Sequence, residues 1–253
     1  MRTAFVAVML WVLTIPLSTI VVVASVLGVA DRPRGVYDWA THTWARGILW
    51  AAGVRVRIHG EERLRASLTA PAVFVSNHVS WFDVFVLAAV IPRYSFISKR
   101  ELLSVPIFGP AARACGTVPI DRGNRKSAFS SYQEAAQFIH GGRSVIVFPE
   151  GTRGTSPELR PFKKGPFVMA IAAGVPVVPT VVRGTLPLMP RGQWRVRSGV
   201  VDVEFLEPVS TAGMTYEDRD RVSEIVHARM AAVLDAPRPA PPPSPVTRAA
   251  VAG

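Results

Sequence analysis

The sequence of 253 residues has little cysteine and few acidic residues. Its one cysteine, Cys115, excludes an intramolecular disulfide and any zinc site built from several cysteines. Only 18 Asp and Glu stand against 29 Lys and Arg, so the formal net charge is +11. Because 49% of the residues are hydrophobic, a disordered or collagen-like chain is also excluded. A chain this basic and apolar indicates an anionic partner: a membrane surface, a nucleic acid or a phosphorylated ligand.

Ionisable residues are missing altogether from residues 3–30. About 20 apolar residues cross a bilayer as a helix, whereas the apolar region of a signal peptide has about 7–15. The length therefore favours a retained membrane helix or hairpin over a cleaved signal peptide, with Pro16 as the expected kink. A segment that re-enters the bilayer or lies in its interface fits the same composition. More arginines follow this run than precede it, which predicts a cytoplasmic C-terminal side; they are Arg32, Arg34 and Arg46, against Arg2.

Residues 36–52 predict a second helix with a polar stripe at every fourth position, formed by Asp38, His42 and Arg46. Four of the six tryptophans precede residue 51, as expected near a headgroup layer. Ordinary packing of this helix on the main domain explains the same pattern, and amphipathicity alone does not separate the two interpretations. We expect residues 1–53 to form an N-terminal unit of one membrane helix and one amphipathic helix.

Strand and helix patterns alternate over residues 54–236, which predicts an α/β domain with a mixed sheet and flanking helices. Strands are expected near residues 54–58, 73–75, 145–148, 175–182 and 201–205, and helices near 83–91, 128–139, 166–173 and 222–233. Pro176 and Pro179 predict an irregular or edge strand, and Asp202 and Glu204 predict a half-exposed one. The Pro-rich tail, residues 237–253, is expected to be disordered.

Three predicted loops interrupt these buried patterns with polar residues, and the first is residues 77–83. A His at the end of a strand and an Asp five residues later can form a pair in which the imidazole takes a proton and the carboxylate orients it. This is the logic of a catalytic triad without its nucleophile. In the alternative interpretation Ser80 caps the helix, Asp83 completes a capping box and His78 is only a loop residue.

The second polar segment, residues 148–154, follows a predicted buried strand and combines Glu150 with Arg153. Its glycines allow a ligand to approach the backbone closely, and the planar guanidinium of Arg153 suits a phosphate. An ordinary turn with both charges solvated is the alternative.

The third predicted loop runs from residue 99 to residue 122 and carries four cations: Lys99, Arg100, Arg113 and Arg122. They either line a basic pocket for a phosphate or are simply solvated charges.

Together, the order and spacing of these segments resemble the glycerolipid acyltransferases, in particular the 1-acylglycerol-3-phosphate acyltransferases. The first motif of that family, N-H-x4-D, is matched by Asn77, His78 and Asp83. The second is matched by Lys99, Glu101, Leu102, Pro106, Phe108, Gly109, Gly116, Ile120, Asp121 and Arg122. The third, F-P-E-G-T-R-S, is matched over residues 148–153, but Gly154 replaces its serine. The fourth, V-P-V-V-P, is matched over residues 175–179, and the whole resemblance covers residues 54–210.

The resemblance implies transfer of a fatty acyl group from acyl-CoA or acyl carrier protein to a lysophospholipid hydroxyl, at a membrane. It implies that His78 is the general base and that Asp83 orients it. The implied substrate-binding residues are Lys99, Arg122, Glu150, Gly151, Thr152 and Arg153. No metal, no cofactor and no nucleic acid is required, and Cys115 lies outside the motifs.

Two alternatives stay open at the level of sequence. The same chemistry could act on another lysolipid, such as a lyso-ornithine lipid, because the motifs report the reaction better than the acceptor. A membrane-tethered basic protein that binds lipid headgroups or nucleic acid is the alternative from another class, but it leaves the polar segments unexplained, and no familiar nucleic-acid motif is found.

Overall fold

A computed structural model describes residues 1–66, 69–120, 132 and 135–238. Two long helices come first: α1 (Arg2–Val26) continues through Pro16, and α2 (Val36–Ala52) ends at Gly53, whose left-handed backbone closes the helix. The remaining helices are α3 (Glu61–Ala66), α4 (Phe82–Val90), α5 (Phe108–Ala114), a segment α6 over residues 135–140, α7 (Gly165–Ala173) and α8 (Arg219–Asp235).

The described part of the chain contains one seven-stranded sheet. Its strands are β1 (Val54–His59), β2 (Val73–Ser76), β3 (Tyr94–Lys99), β4 (Val118–Ile120), β5 (Ser144–Val147), β6 (Val177–Arg183) and β7 (Gly199–Phe205). They lie in the order β1-β7-β6-β2-β5-β3-β4. β2 to β6 are mutually parallel, and β7 pairs antiparallel to β6 and parallel to β1. The predicted mixed sheet with flanking helices is confirmed.

Helices cover both faces of the sheet, because the central strands are apolar on both sides. One core cluster joins α2 and α4 to alternate residues of the strands, with Phe74, Ile146 and Phe205 at its centre. The other joins α6, α7 and α8 to the opposite face, with Val75, Phe167 and Met230 fully or almost fully buried. The carboxyl ends of five parallel strands therefore meet at a single edge of the sheet.

The expected edge strand is instead central, since β6 lies between β2 and β7. Pro179 lies where the antiparallel ladder to β7 begins, since the first paired residue of that ladder is Thr180, and its carbonyl oxygen still accepts the Leu206 N–H at 2.9 Å. β7 is also internal, and Asp202 is buried rather than half-exposed. Its carboxylate accepts hydrogen bonds from Arg57 on the neighbouring β1, at 2.7 and 2.9 Å. Alternating polarity thus marked a buried ion pair and not a solvent face.

The third predicted loop is largely regular structure, and that expectation was wrong. Residues after Lys99 form a 3₁₀ helix (Arg100–Ser104), then α5 and β4. Gly109 makes the tight entry to α5 possible, since a Cβ there would lie 2.1 Å from the carbonyl oxygen of Leu103.

The polar stripe of α2 faces the main domain. His42 Nε2 lies 3.2 Å from the carbonyl oxygen of Ile91, and Arg46 donates a hydrogen bond to the carbonyl oxygen of Ala89 at 3.3 Å. Both side chains therefore contact carbonyl groups at the C-terminal end of α4, which have no partner within the helix. Trp39 and Trp50 lie exposed on the same helix. The polar stripe of α2 therefore packs on the main domain, and Trp39 and Trp50 lie on the surface.

Candidate active site

The site begins where β2 ends, at the edge of the sheet where the parallel strands share their carboxyl ends. Asn77 continues the ladder with its side chain: its Nδ2 donates to the carbonyl oxygen of Val182 at 2.9 Å, and its Oδ1 accepts from the Val182 N–H at 2.8 Å. This paired contact fixes the point at which the chain leaves the sheet, so the next residue, His78, projects from a rigid position.

His78 and Asp83 form the predicted pair. Nδ1 of His78 lies 2.9 Å from Oδ2 of Asp83. Because a carboxylate accepts hydrogen bonds, this contact assigns the proton to Nδ1, and Nε2 is the basic nitrogen, with no hydrogen-bond partner among the described residues. The imidazole stacks on the ring of Phe148 with centroids 4.0 Å apart. One face of the ring is therefore covered, and its orientation is fixed from two directions.

Asp83 is fully buried and receives three further hydrogen bonds. Its Oδ2 accepts the backbone N–H groups of Val79 and Ser80 at 2.7 and 2.8 Å, and its Oδ1 accepts the hydroxyl of Thr185. The Ser80 N–H bond is half of the capping box that the alternative interpretation predicts. The same carboxylate also orients His78, so the two interpretations hold together.

Glu150 lies behind His78. Its Oε1 accepts the backbone N–H of His78 at 2.9 Å, and its Oε2 pairs with Nε of Arg160 at 2.9 Å. The buried carboxylate thus joins the loop after β5 to the loop after β2. Gly154 strengthens this joint, because its N–H donates to the carbonyl oxygen of His78 at 2.7 Å.

Arg153 lies over the ring of Trp81, with its guanidinium carbon 4.8 Å from the centroid. Arg191 approaches from the loop after β6 and donates to the carbonyl oxygen of Arg153 at 3.0 Å. Burial lowers the pKa of Arg153, the positive charge of Arg191 lowers it further, and the charge of Asp83 raises it. Neither arginine has a carboxylate partner among the described residues. Two adjacent guanidinium groups without a counter-ion suit an anion.

The other predicted site residues are placed less closely. Lys99 ends β3, two strands away from β2, which is about 10 Å along the same edge. Its side chain is exposed and forms no ion pair with another site residue in the described ranges. Arg122 lies outside the described residues. Thr152 is exposed and receives a hydrogen bond from Nη1 of Arg160 at 2.9 Å, while a side chain at Gly151 would meet only the stem of Lys163.

Cys115 is buried away from this edge, behind α1 and α2. Burial raises the pKa of its thiol to about 12, so the sulfur is protonated at neutral pH and is a poor nucleophile.

Sequence reasoning missed Thr185, Arg160 and Arg191. Thr185 is separated from Asp83 by 102 residues, and Arg191 from Arg153 by 38. Their contacts depend on β6 lying beside β2, and local sequence patterns do not predict this strand order. Arg160 carried a usable signal, because it follows Glu150 by ten residues and is the first cation after the glycine-rich turn apart from Arg153.

A family model described as Acyltransferase matches residues 55–183. The chain is 42% identical over 171 residues to the chloroplastic 1-acyl-sn-glycerol-3-phosphate acyltransferase BAT2 of Brassica napus, covering 66% of this chain and 49% of that protein. It is 36% identical over 189 residues to the human 1-acyl-sn-glycerol-3-phosphate acyltransferase alpha, covering 74% and 66%. The Saccharomyces cerevisiae 1-acyl-sn-glycerol-3-phosphate acyltransferase is 30% identical over 218 residues, covering 84% and 71%. The chain thus spans about half the length of the first of these relatives.

Among solved structures, the crystal structure of the 1-acyl-sn-glycerophosphate acyltransferase PlsC from Thermotoga maritima superposes with a TM-score of 0.76 at 24% identity. The match covers 94% of this chain and 97% of that one. At this identity the likeness concerns the fold, and its coverage extends from the sheet into the N-terminal helices.

Proposed function

This chain belongs to the acyltransferase family, and from the site that it builds we propose that it transfers a fatty acyl group to a lysophospholipid. The acyl donor is a thioester, acyl-CoA or acyl carrier protein, and the acceptor is the sn-2 hydroxyl of 1-acylglycerol-3-phosphate, giving phosphatidic acid. The observation that carries the proposal is the His78–Asp83 pair at the edge where the strand ends converge, with Nε2 of His78 unpaired within the described residues.

In this mechanism Nε2 of His78 takes the proton of the acceptor hydroxyl as its oxygen attacks the thioester carbon. The carbon–sulfur bond then breaks, and the departing thiolate accepts that proton from the imidazolium, which returns His78 to its neutral form. Asp83 holds the reactive tautomer and stabilises the imidazolium that forms in between. No covalent enzyme intermediate is needed, which agrees with the buried, protonated Cys115.

The acceptor phosphate binds at Arg153, with Lys99 and Arg122 assigned to the same anionic group. Support for Arg153 comes from its position over Trp81 and from its charge, which no carboxylate neutralises in the described ranges. Gly151 and Thr152 shape the rim of the acceptor pocket. Glu150 acts from behind, because both of its oxygens are already engaged by His78 and Arg160.

The membrane is reached through α1, which alone among the described helices is long and apolar enough to cross a bilayer. Both ends of α1 are nevertheless held by the rest of the chain. Thr3 accepts the Val196 N–H at 3.0 Å, and Asp31, just beyond the other end, pairs with Arg143 at 2.7 Å. A spanning helix has its ends on opposite sides of about 30 Å of hydrocarbon. This arrangement supports a helix lying in the interface, with its exposed side chains in lipid; these include Phe5, Val8, Trp11, Val12 and Ile15. The arginines that follow α1 support a position on the cytoplasmic side.

The test is acyl transfer by the purified full chain from one labelled acyl-CoA to a panel of lysolipids, repeated with acyl carrier protein as donor. We expect acylation of 1-acylglycerol-3-phosphate, abolished by His78→Ala while membrane association persists. Preference for a lyso-ornithine lipid would reassign the acceptor, and no thioester-dependent acylation of any lysolipid would refute the proposal.

A further inference from the structure

The loop between β6 and β7 presents an unusual surface over residues 190–197. Trp194 is 83% exposed, the most exposed large aromatic side chain of the described residues. Arg191, Arg195 and Arg197 surround it in sequence and are all exposed. None of these three has an acidic partner in the described part of the chain. An exposed indole beside arginines without acidic partners is the combination of side chains that favours the surface of an anionic bilayer.

The charge around this loop is one-sided over a long stretch. Residues 159–201 contain no Asp or Glu, but they contain seven cations: Arg160, Lys163, Lys164, Arg183, Arg191, Arg195 and Arg197. Arg160 and Lys164 are neutralised by Glu150 and by Asp220. The three arginines of the loop keep their full charge and give this part of the surface a positive potential.

The loop lies between the apolar helix and the candidate site. The N–H of Val196 donates to Thr3 Oγ1 at the start of α1, where Phe5 and Trp50 pack edge-to-face on the surface. At the other end of the loop, the hydroxyl of Ser80 donates to the carbonyl oxygen of Met189 at 3.0 Å, and the guanidinium of Arg191 donates to the carbonyl oxygen of Arg153. The exposed indole, the first turn of α1 and the mouth of the site therefore form one continuous surface.

We propose that residues 190–197 are a second lipid-contacting element, which binds an anionic bilayer surface with Trp194 in the headgroup layer and the arginines on lipid phosphates. Indole rings favour this depth, and cations near an anionic surface are attracted to it. A nucleic acid could bind the same arginines, but it would leave the apolar face of α1 beside them uncovered. The inference rests on the proposed function only in taking the substrate from a membrane, and it assigns the loop a role in docking rather than in chemistry.

A direct test places a fluorophore on the loop of the full chain. Cys115 is replaced by alanine, and a single cysteine for labelling is introduced as Gln193→Cys or, as control, as Glu217→Cys on the exposed turn before α8. Quenching is measured with spin-labelled lipids in phosphatidylglycerol vesicles. We expect strong quenching of the label at position 193 and little at position 217. Equal responses from the two positions would overturn the proposal, as would a label at position 193 that responds to duplex DNA and not to vesicles.

A second test separates docking from catalysis. The variant Trp194→Ala/Arg195→Gln is compared with Tyr216→Ala/Arg219→Gln, an exposed aromatic–arginine pair with the guanidinium 4.0 Å above the ring. With the acceptor presented in anionic vesicles, we expect the loop variant to lose about fivefold or more in kcat/KM, since one arginine near such a surface contributes about that factor. With a short-chain, water-soluble acceptor, both variants should match the wild type. Unchanged kcat/KM on vesicles refutes the docking role, whereas inactivity of the wild type on both acceptors refutes the proposed function instead.

Discussion

Two histidine–aspartate pairs of similar burial lie in different parts of the sheet, one directly after the central strand β2 and one between the edge strand β1 and its neighbour β7. His78 and Asp83 are 14% and 0% exposed and 2.9 Å apart, and His59 and Asp202 are 15% and 2% exposed and 3.1 Å apart. The two carboxylates differ in their other partners. Asp83 receives neutral donors, namely two backbone N–H groups and a hydroxyl, whereas Asp202 is paired with Arg57 and Arg238.

This difference distinguishes the pair proposed to be catalytic from a pair with a structural role. The charge of Asp202 is already balanced by arginines, so the carboxylate does not depend on His59 for a positive partner. Asp83 has no arginine or lysine within ion-pair distance among the described residues, so an imidazolium at His78 is the cation that best completes it. A carboxylate satisfied by neutral donors is pre-organised for a transient positive charge.

The largest effect is expected from removing the two imidazoles. His78→Ala should reduce kcat by about 100- to 10,000-fold, the usual contribution of a general base. His59→Ala should leave kcat within about twofold, because its imidazole donates only to a carboxylate that is already paired. The measurement is acyl transfer by purified protein, with vesicle binding as the control for folding. Equal losses in both variants would erase the distinction drawn between the two pairs.

The carboxylates can be compared in the same way. Asp83→Asn keeps the shape but offers His78 an amide, and we expect kcat to fall about 100-fold or more because the reactive tautomer is lost. Asp202→Asn should keep kcat but lower the free energy of unfolding by about 1–3 kcal/mol, as hydrogen bonds to charged arginines weaken. Urea titration beside kinetics separates the two outcomes. A stability loss without a kinetic loss in Asp83→Asn would count against its orienting role.

A smaller kinetic effect is expected at the proposed phosphate contact. Arg153→Ala should raise KM for 1-acylglycerol-3-phosphate by roughly tenfold or more, the value of a hydrogen bond to a charged group, with kcat little changed. An acceptor without a phosphomonoester should not distinguish the variant from the wild type. If KM for the phosphorylated acceptor is unchanged, Arg153 does not bind the phosphate.

The smallest change in activity, and the clearest dependence on pH, is expected at Asp202. Burial raises the pKa of Asp202, but the hydrogen bonds and charges of its partners outweigh burial, so its net pKa is lowered. A lowered pKa contributes stability that is complete above the unfolded value near pH ~4 and is lost as pH falls through the folded value. Asp202→Asn should therefore flatten the loss of stability on acidification below pH ~4, measured by thermal unfolding. Asp31, whose pKa is lowered by Arg143 and Arg93 despite burial, should still contribute to the loss of stability in this variant.

Local patterns predicted much of this molecule, because most strands and helices here bury a continuous apolar run. The pairing of His78 with Asp83 was also local, since five residues separate them. By contrast, Thr185 reaches Asp83 only because β6 and β2 are neighbours, and Asp202 is buried only because β1 supplies Arg57 across 145 residues. Hydropathy gives the environment of a residue along the chain, whereas these contacts depend on strand order.

The N-terminal helices show the same limit. Their length and composition fit a membrane segment, and the sequence left open whether α2 packs on the domain. Val6 and Leu49 share a core cluster with Phe74 and Phe205 of the sheet, and Asp31 and Asp38 both pair with Arg143. No pattern within the first 53 residues reveals that Arg143, ninety positions later, forms ion pairs with both of these aspartates.

The contacts at the two ends of α1 also set an order on biosynthesis. α1 is synthesised well before its partners Arg143 and Val196. At about 5–20 residues per second, the interval is roughly ten to thirty seconds. During that time an apolar helix of 25 residues lacks the contacts that the later part of the chain makes with its two ends. Early contact with a bilayer or a chaperone would cover this apolar surface during the interval, so the association of α1 with lipid can begin before the catalytic domain has folded.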